Sequence, residues 1–482
     1  MKIKSILAFL MLLLAFSFNI RAQQKNVNNN ESNYAYADSI MQATYKYNEP
    51  GAVLLIAKDG YPVFEKAYGL ANMELQILNR PDYEFEIGSN TKQFTAVSIL
   101  QLVQEGKMAL QDDIHKYLPA YNTHGRSITI ENLLTHTSGI PNFLDKDFFK
   151  KKYRNDEPRD SIAKWFSRDS LLFEPGTDWS YSNSGFFLLG QIIEKVSGMS
   201  YEEYVQKNIF NPLHMDHSYF GTNAKVIPGV ATGYEAAGNN KYKDADYISW
   251  SWPYAAGEII SNVADLLKWD NALYTDKIVS RALLQKAWTS YILKDGRKTQ
   301  YGFGWFSSNY NGVKLIFHSG GIPGFLSMVI RLPEQHLFVT LLSNNGHANL
   351  HVAMPIALSV AGYPVTRPLS IKPDPALLKD YTGVYKIHAL GTLLVADLGS
   401  QKMYDDITQK NDTLFIQQTG GGKKPLSAIA KDVFISSDTG TGSFSYWTYH
   451  FTRNSDGKVN AITVEAPLNV LMSRTEPKVD LP

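Results

Sequence analysis

The stretch that decides the fold is IGSNTKQF at residues 87–94. Ser89 follows a glycine, Lys92 comes three residues later, and a largely apolar run extends from Phe94 to Val103. The pattern predicts a turn that leads into a buried helix ending near Gly106. Because residues three apart share one helix face, we expect the Ser89 hydroxyl and the Lys92 amine to lie within reach of each other. Free backbone N–H groups at a helix N-terminus favour negative charge, which suits a serine activated by a nearby amine.

The Ser-x-x-Lys spacing alone is a weak signal, because a solvated lysine near a capping serine is its ordinary interpretation. The spacing occurs at Ser89/Lys92, Ser161/Lys164 and Ser455/Lys458. Only the first copy follows a Gly-Ser turn and precedes a long apolar run. The context therefore singles out the first pair.

Length and composition favour a folded protein with more than one domain. The chain has 482 residues, 44% of them hydrophobic and 19% charged, which is too long for one ordinary core. A formal net charge of +1 gives no electrostatic reason to expect nucleic acid as a partner. With no cysteine, the chain excludes disulfides, thiolate metal sites and a cysteine nucleophile. We expect no metal, because the histidines lack metal-ligand spacing.

The N-terminus predicts export. Lys2 and Lys4 precede an apolar run from Ile6 to Phe18, and Ala22 is a plausible cleavage site. A membrane anchor is the alternative, but spanning a bilayer takes about 20 apolar residues. We therefore interpret residues 1–22 as a signal peptide and residues 23–33 as a polar, disordered leader. The expected location is the periplasm or the medium, without a stable membrane span.

The strand and helix patterns predict an α/β (α+β) fold. Its expected core is a five-stranded antiparallel sheet flanked by helices, with an inserted helical subdomain. The predicted strands are Gly51–Ala57, Tyr61–Tyr68, Lys314–His318, Phe325–Leu332 and Leu337–Leu342. This domain is expected to cover residues 34–365, followed by a linker at 366–376.

Residues 377–482 predict a small, barrel-like all-β domain. The strands expected there are Tyr381–Tyr385, Thr392–Asp397, Thr413–Gln417, Tyr446–Thr452 and Val459–Val464.

Further candidate site residues lie far along the chain. Tyr181 and Asn183 precede an apolar helix pattern, and in extended backbone two such side chains point the same way. A packing tyrosine beside a turn asparagine is the alternative. His136 is more readily explained as a loop-bonding histidine than as a catalytic one. Two loops, 145–160 and the aromatic 233–254, do not reveal a substrate; the second either lines a pocket or covers the core.

Three motifs stand in order along the chain: Ser89-x-x-Lys92, Tyr181-x-Asn183 and His318-Ser319-Gly320. With their flanks at 133–141, 174–190 and 318–325, they resemble the penicillin-binding-protein and serine β-lactamase superfamily. The similarity is greatest to the branch of class C β-lactamases, D-alanyl-D-alanine carboxypeptidases and related esterases, and it covers about residues 34–362.

The resemblance implies catalytic roles. Ser89 would be the acylated nucleophile, Lys92 would help deprotonate it, and Tyr181 would act as general base or proton shuttle to the leaving group. The N–H groups of Ser89 and Gly321 would form the oxyanion hole. No cofactor is implied.

The resemblance also implies substrate-binding roles. Asn183 would bind the substrate amide, while His318, Ser319 and Gly320 would contact other substrate groups, often a carboxylate. β-Lactamases of this branch usually carry lysine where His318 stands. Histidine is only partly charged near neutral pH, so carboxylate attraction would be weaker and pH-dependent.

The sequence thus predicts a secreted serine hydrolase that acts on D-amino-acid peptides, cell-wall fragments among them. β-Lactamase or esterase activity is the alternative within the fold. A non-catalytic peptide-binding or peptidoglycan-binding protein is the alternative from another class, and a carbohydrate-binding C-terminal domain is a third.

Overall fold

The fold is built around strand β1 (Ala52–Lys58), of which six residues are buried. The computed structural model describes residues 34–238, 241–310, 312–363, 370–386, 404–418, 422–437, 446–465 and 473–479. The predicted signal peptide, the leader and the predicted strand Thr392–Asp397 lie outside these ranges.

The strands that precede the C-terminal domain follow in chain order. They are β1, β2 (Tyr61–Tyr68), β3 (Leu70–Asn72), β4 (Ile77–Leu78), β5 (Phe85–Glu86), β6 (Tyr219–Phe220), β7 (Tyr234–Gly238), β8 (Lys241–Asp244), β9 (Ile259–Ser261), β10 (Phe306–Tyr310), β11 (Val313–Ile322), β12 (Phe325–Leu332) and β13 (Leu337–Ser343).

The helices of the same region are mostly short. They are α1 (residues 34–44), α2 (Thr91–Gln104), α3 (Ile130–Leu134), α4 (Asp147–Lys152), α5 (Arg159–Phe166), α6 (Asn183–Ser197), α7 (Tyr201–Val205), α8 (Asn211–Leu213), α9 (Val263–Ala272), α10 (Arg281–Ala287) and α11 (Ala353–Val360).

The main sheet is antiparallel and joins both ends of the domain. Its strand order is β10-β11-β12-β13-β1-β2. In the pairing of β1 with β13, Ala52 lies opposite Ser343 and Lys58 lies opposite Leu337. The five predicted strands are all present, and Tyr61–Tyr68 and Phe325–Leu332 have the predicted bounds.

A sixth strand, β10, corrects the predicted count of five. It pairs with β11 at the sheet edge. Its sequence is FSSNY, and only Phe306 in it is buried. An edge strand with polar residues in the middle lacks the apolar run that predicts strands, which is why the pattern missed it.

Both faces of the sheet are covered. Val53 and Leu55 belong to one apolar core with the long helices α2 and α6. Leu54 and Ile56 belong to a second core with α11. Burial on both faces explains why β1 is a continuous apolar run instead of an alternating one.

The C-terminal domain is a closed antiparallel barrel in the described residues. A short helix α12 (Leu378–Tyr381) precedes the barrel strands β14 (Gly383–Lys386), β15 (Tyr404–Lys410), β16 (Thr413–Gln418), β17 (Lys423–Ala430), β18 (Val433–Ser437), β19 (Tyr446–Arg453), β20 (Val459–Glu465) and β21 (Ser473–Val479). The pairing of β14 with β21 closes the ring.

The prediction of a strand at Tyr381–Tyr385 was partly wrong. Tyr381 ends a helical segment, and the strand begins two residues later. The helical segment starts where the Asp374 carboxylate accepts a hydrogen bond from the Ala376 N–H. A side-chain cap followed by proline favours helix over strand at this point.

Candidate active site

Ser89 lies in a single 3-10 turn, Gly88–Asn90, that leads directly into α2. The turn packs against β11 at very short range. A Cβ placed on Gly88, whose φ is +50°, would stand 2.9 Å from the Gly321 nitrogen. A Cβ on Gly320 would stand 2.0 Å from the Ile87 carbonyl oxygen. Glycine is therefore required on both sides, and this contact holds Ser89 at the strand.

Lys92 is buried one turn further along α2, with no exposed surface. Its Nζ lies 3.0 Å from Ser89 Oγ, 2.7 Å from Asn183 Oδ1 and 2.8 Å from the Ala256 carbonyl oxygen. Burial lowers the pKa of Lys92 well below its usual value. A neutral amine donates its two hydrogens to the two carbonyl oxygens, which leaves its lone pair directed at the Ser89 hydroxyl.

Tyr181 is placed between Ser89 and a cluster of rings. Lys92 Nζ lies 4.9 Å from the centre of its ring, and the His136 ring lies 4.3 Å away. By distance and angle the phenolic oxygen makes no complete hydrogen bond within the described residues, and its polar neighbour is the Ser89 hydroxyl. Burial raises the pKa of Tyr181, and the nearby Ser89 hydroxyl offsets only part of this rise. The group is therefore a neutral phenol, free to donate or accept a proton.

Asn183 is the first residue of α6, and its amide is held at both ends. Its oxygen accepts from Lys92, while its backbone N–H and its Nδ2 both donate to Asn142 Oδ1 at 3.2 Å. Asn142 is thus a supporting residue that the sequence reasoning missed. No pattern marks it, since a lone asparagine beside a proline is an ordinary turn residue.

The structure places His318 differently from the sequence expectation. It has no exposed surface, its Nε2 lies 2.9 Å from the Tyr301 hydroxyl, and its Nδ1 lies 2.5 Å from the Ser319 carbonyl oxygen. A carbonyl only accepts, so Nδ1 carries the proton and Nε2 accepts from Tyr301. Burial lowers the pKa of His318 to about 3, so the ring is neutral.

Two expectations about this strand therefore need correction. A neutral, fully bonded His318 offers no charge to a substrate carboxylate. Gly320 is buried against the Ser89 turn, so it makes room for that turn instead of for a ligand. Ser319 is half-buried and Gly321 is exposed, and Gly321 lines the cavity described below. Both glycines lie within β11, which continues beyond the predicted end at His318.

His136 supports the Tyr181 segment, as the loop-bonding interpretation of the sequence proposed. Its Nδ1 accepts a hydrogen bond from the Ser182 N–H at 3.2 Å, and its carbonyl oxygen accepts from the Ser180 N–H at 3.0 Å. Burial lowers the pKa of His136 well below its usual value, so the ring stays neutral. These two bonds fix the backbone on either side of Tyr181.

The turn Tyr254–Ala256 is a second supporting element that sequence reasoning missed. The Ala256 carbonyl oxygen accepts from Lys92, and the Ala255 carbonyl oxygen accepts from Thr95 Oγ1 at 2.6 Å. Both bonds tie the turn to α2. Backbone carbonyls carry no side-chain signature, so no sequence pattern could have identified them.

A cavity of about 400 Å³ opens onto Ser89, Asn183 and Gly321. Half of the remaining lining residues are apolar and half-buried: Leu144, Phe149, Ile248, Pro253, Ile322 and Pro323. Such a volume and lining are typical of small-molecule sites. Phe149 and Ile248 lie in the two loops whose sequence did not reveal a substrate, and Ile322 is the last residue of β11.

The described residues contain no group of three or more His, Cys, Asp or Glu side chains suited to a metal ion. In the same part of the chain, no helix combines the length and apolarity that crossing a bilayer requires.

The chain has relatives among proteins of known sequence. Protein flp of Staphylococcus aureus strain MRSA252 is 32% identical over 305 residues, which are 61% of this chain and 59% of that protein. This chain therefore spans less than two thirds of the length of that relative.

Solved structures share the fold. The octameric penicillin-binding protein homologue from Pyrococcus abyssi superposes with a TM-score of 0.62 at 27% identity, covering 93% of this chain and 99% of that one. The D-stereospecific amidohydrolase from Streptomyces sp. gives a TM-score of 0.58 at 25% identity, covering 67% of this chain and 98% of that one.

The Beta-lactamase family model matches residues 35–360, more than half of the chain. The match contains the Ser89 turn, the Tyr181 segment and β11, so the resemblance expected from three motifs is confirmed: this chain belongs to the Beta-lactamase family, within the serine β-lactamase and penicillin-binding-protein superfamily.

Proposed function

We propose that this chain is an exported serine hydrolase that forms an acyl-enzyme on Ser89 and cleaves amide or ester bonds of compounds built from D-amino acids. The observation that carries the proposal is the 3.0 Å contact between Ser89 Oγ and the buried Lys92 amine. Family membership supports a hydrolase. Similarity to a D-stereospecific amidohydrolase supports the substrate class.

In the acylation step, Ser89 Oγ attacks the substrate carbonyl carbon while its proton passes to Lys92 Nζ. The amine can accept it because its own two hydrogens are held by Asn183 and Ala256. Two fixed carbonyl dipoles then stabilise the ammonium that forms. A buried amine with a depressed pKa is matched to this task near neutral pH.

The oxygen of the attacked carbonyl becomes an oxyanion, which the N–H groups of Ser89 and Gly321 would stabilise. The close packing of the Ser89 turn on β11 brings these two backbone segments together. Their positions are fixed by glycine contacts before the substrate arrives. Donors that need no rearrangement are the effective ones in such a site.

Collapse of the tetrahedral intermediate requires a proton for the leaving group. Tyr181 is suited to supply it, because its neutral phenol has no other hydrogen-bond partner in the described structure. The proton on Lys92 then returns to Tyr181. In deacylation, water adds to the acyl-Ser89 ester with the proton movements reversed, which releases the acid and restores Ser89.

The decisive test is intact mass after incubation with a penicillin and, separately, with a fluorophosphonate. We expect one covalent adduct on the wild-type protein and none on Ser89→Ala. Ser161→Ala is the matched control, because Ser161 belongs to the second Ser-x-x-Lys pair, in α5. An adduct that persists in Ser89→Ala, or a folded wild-type protein that forms none, would contradict the proposal.

A further inference from the structure

We propose, on the basis of the proposed function, that the cavity selects substrates with a bulky apolar group on the acyl side of the scissile bond and needs no carboxylate beside it. The expected class is therefore amides or esters of apolar D-amino acids instead of carboxyl-terminal peptides. Three independent observations support this specificity.

First, the two loops 145–160 and 233–254 are joined into one wall of the cavity. Ser249 N–H donates to the Tyr153 carbonyl oxygen at 2.8 Å, and Trp252 Nε1 donates to the Asn155 carbonyl oxygen at 3.1 Å. These bonds join the two loops into one wall. Phe149 of α4 packs on this wall, with its ring centre 5.3 Å from that of Trp252.

The second observation is the chemical character of this wall. Phe149 and Ile248 are each only half-buried although they belong to the edge of the main core. Their remaining apolar surface faces the cavity. Covering such surface with an apolar substrate group is favourable, at about 25 cal/mol per Å² removed from water.

The third observation concerns charge. His318 is buried, neutral and bonded on both nitrogens. The charged residues that line the cavity are Lys150 and Asp246, both exposed, and Asp246 is paired with Arg154 at 2.6 Å. The described lining therefore holds no buried cation, and an exposed lysine such as Lys150 attracts a carboxylate only weakly.

The order of the two half-reactions indicates which part of the substrate the cavity receives. The acyl group stays on Ser89 through both half-reactions, whereas the leaving group departs after the first. We therefore assign the cavity that opens directly onto Ser89 to the acyl group, which would occupy it in both steps.

The test compares D-phenylalanine and D-alanine p-nitroanilides on the wild type, Phe149→Ala and Phe148→Ala. Phe148 is a close control, because it is the neighbouring residue of α4, it also stacks near Trp252 at 6.3 Å, and it does not line the cavity. We expect kcat/KM for the aromatic substrate to fall about tenfold or more in Phe149→Ala. The D-alanine substrate should change little, and Phe148→Ala should leave the ratio of the two substrates as in wild type.

A second comparison uses D-phenylalanyl-glycine with either a free carboxylate or a carboxamide at its end. We expect the carboxamide to be cleaved at least as well. A strong preference for the carboxylate, a wild-type preference for D-alanine, or an unchanged ratio in Phe149→Ala would each overturn the inference while fluorophosphonate labelling still supports Ser89. Loss of labelling and of all turnover would overturn the proposed function and this inference with it.

Discussion

The N-termini of α2 and α5 carry the same Ser-x-x-Lys spacing in very different surroundings. In α2, Lys92 is fully buried and contacts two carbonyl oxygens besides Ser89. In α5, Lys164 is exposed and Ser161 is half-buried. Helix geometry can bring hydroxyl and amine together in both places, yet only one amine is removed from water.

The difference shows that chemistry comes from the surroundings of a motif, not from its spacing. A solvated ammonium keeps its proton at neutral pH and cannot take one from serine. Burial disfavours the ammonium, and the carbonyls of Asn183 and Ala256 orient the neutral amine. The Ser455/Lys458 copy lies outside any helix, with both residues exposed.

The largest effect is expected from Lys92→Ala, which tests whether burial distinguishes Lys92 from Lys164. Loss of the proton acceptor should lower kcat/KM by about 10³-fold or more, near the upper part of the range for general bases. The matched change Lys164→Ala should leave kcat/KM at the wild-type level. Steady-state kinetics on one D-amino-acid anilide would measure both. Similar losses in the two variants would mean that burial is not what distinguishes the two lysines.

A smaller loss is expected from Tyr181→Phe, which removes the hydroxyl of a ring that lies 4.9 Å from Lys92 Nζ. We expect kcat/KM to fall about 10²-fold, the lower end for a proton-transfer group. Because the hydroxyl makes no complete hydrogen bond within the described residues, the melting temperature should stay close to wild type. An unchanged rate would show that another group protonates the leaving group.

The smallest catalytic effect is expected from His318→Gln. Since the pKa of His318 is lowered to about 3, the ring does not titrate between pH 5 and 8, and the pH profile of kcat/KM should keep its shape. The substitution should instead change how the melting temperature depends on pH. A depressed histidine pKa favours the unfolded state as the pH falls from 6.5 towards 3, so the variant should lose less melting temperature on acidification.

The opposite results would restore the sequence-based expectation for His318. A loss of an acid-dependent limb in kcat/KM above pH 5 would mean that the ring is charged during turnover. Equal acid sensitivity of the melting temperature in both proteins would mean that folding does not lower the pKa of His318.

The sequence was sufficient for five strands of the main sheet and for the proximity of Ser89 to Lys92, because strand patterns and helix spacing report them directly. It was insufficient where backbone atoms do the binding, as with the Ala256 carbonyl. The side-chain direction of His318 was also hidden. A strand pattern does not say which ring nitrogen finds a partner, and Tyr301 lies 17 residues away in the chain.

The cavity wall could not be predicted from the sequence for a related reason. Its two loops meet through tertiary bonds between distant residues, such as the bond from Trp252 Nε1 to the carbonyl of Asn155, 97 residues away in the chain. Neither loop alone has a periodic pattern. The edge strand β10 was missed because its polar middle resembles a turn.

The pairing of β1 with β13 has a consequence for how the molecule folds. Ala52 can pair with Ser343 only after Ser343 has been synthesised, so these two inner strands close a loop of nearly the whole domain. Closing long loops costs conformational entropy, and folds dominated by such distant pairs fold slowly. Until residues 337–343 arrive, β1 has a free edge beside its apolar faces. A chain released before that point would expose a template for aggregation.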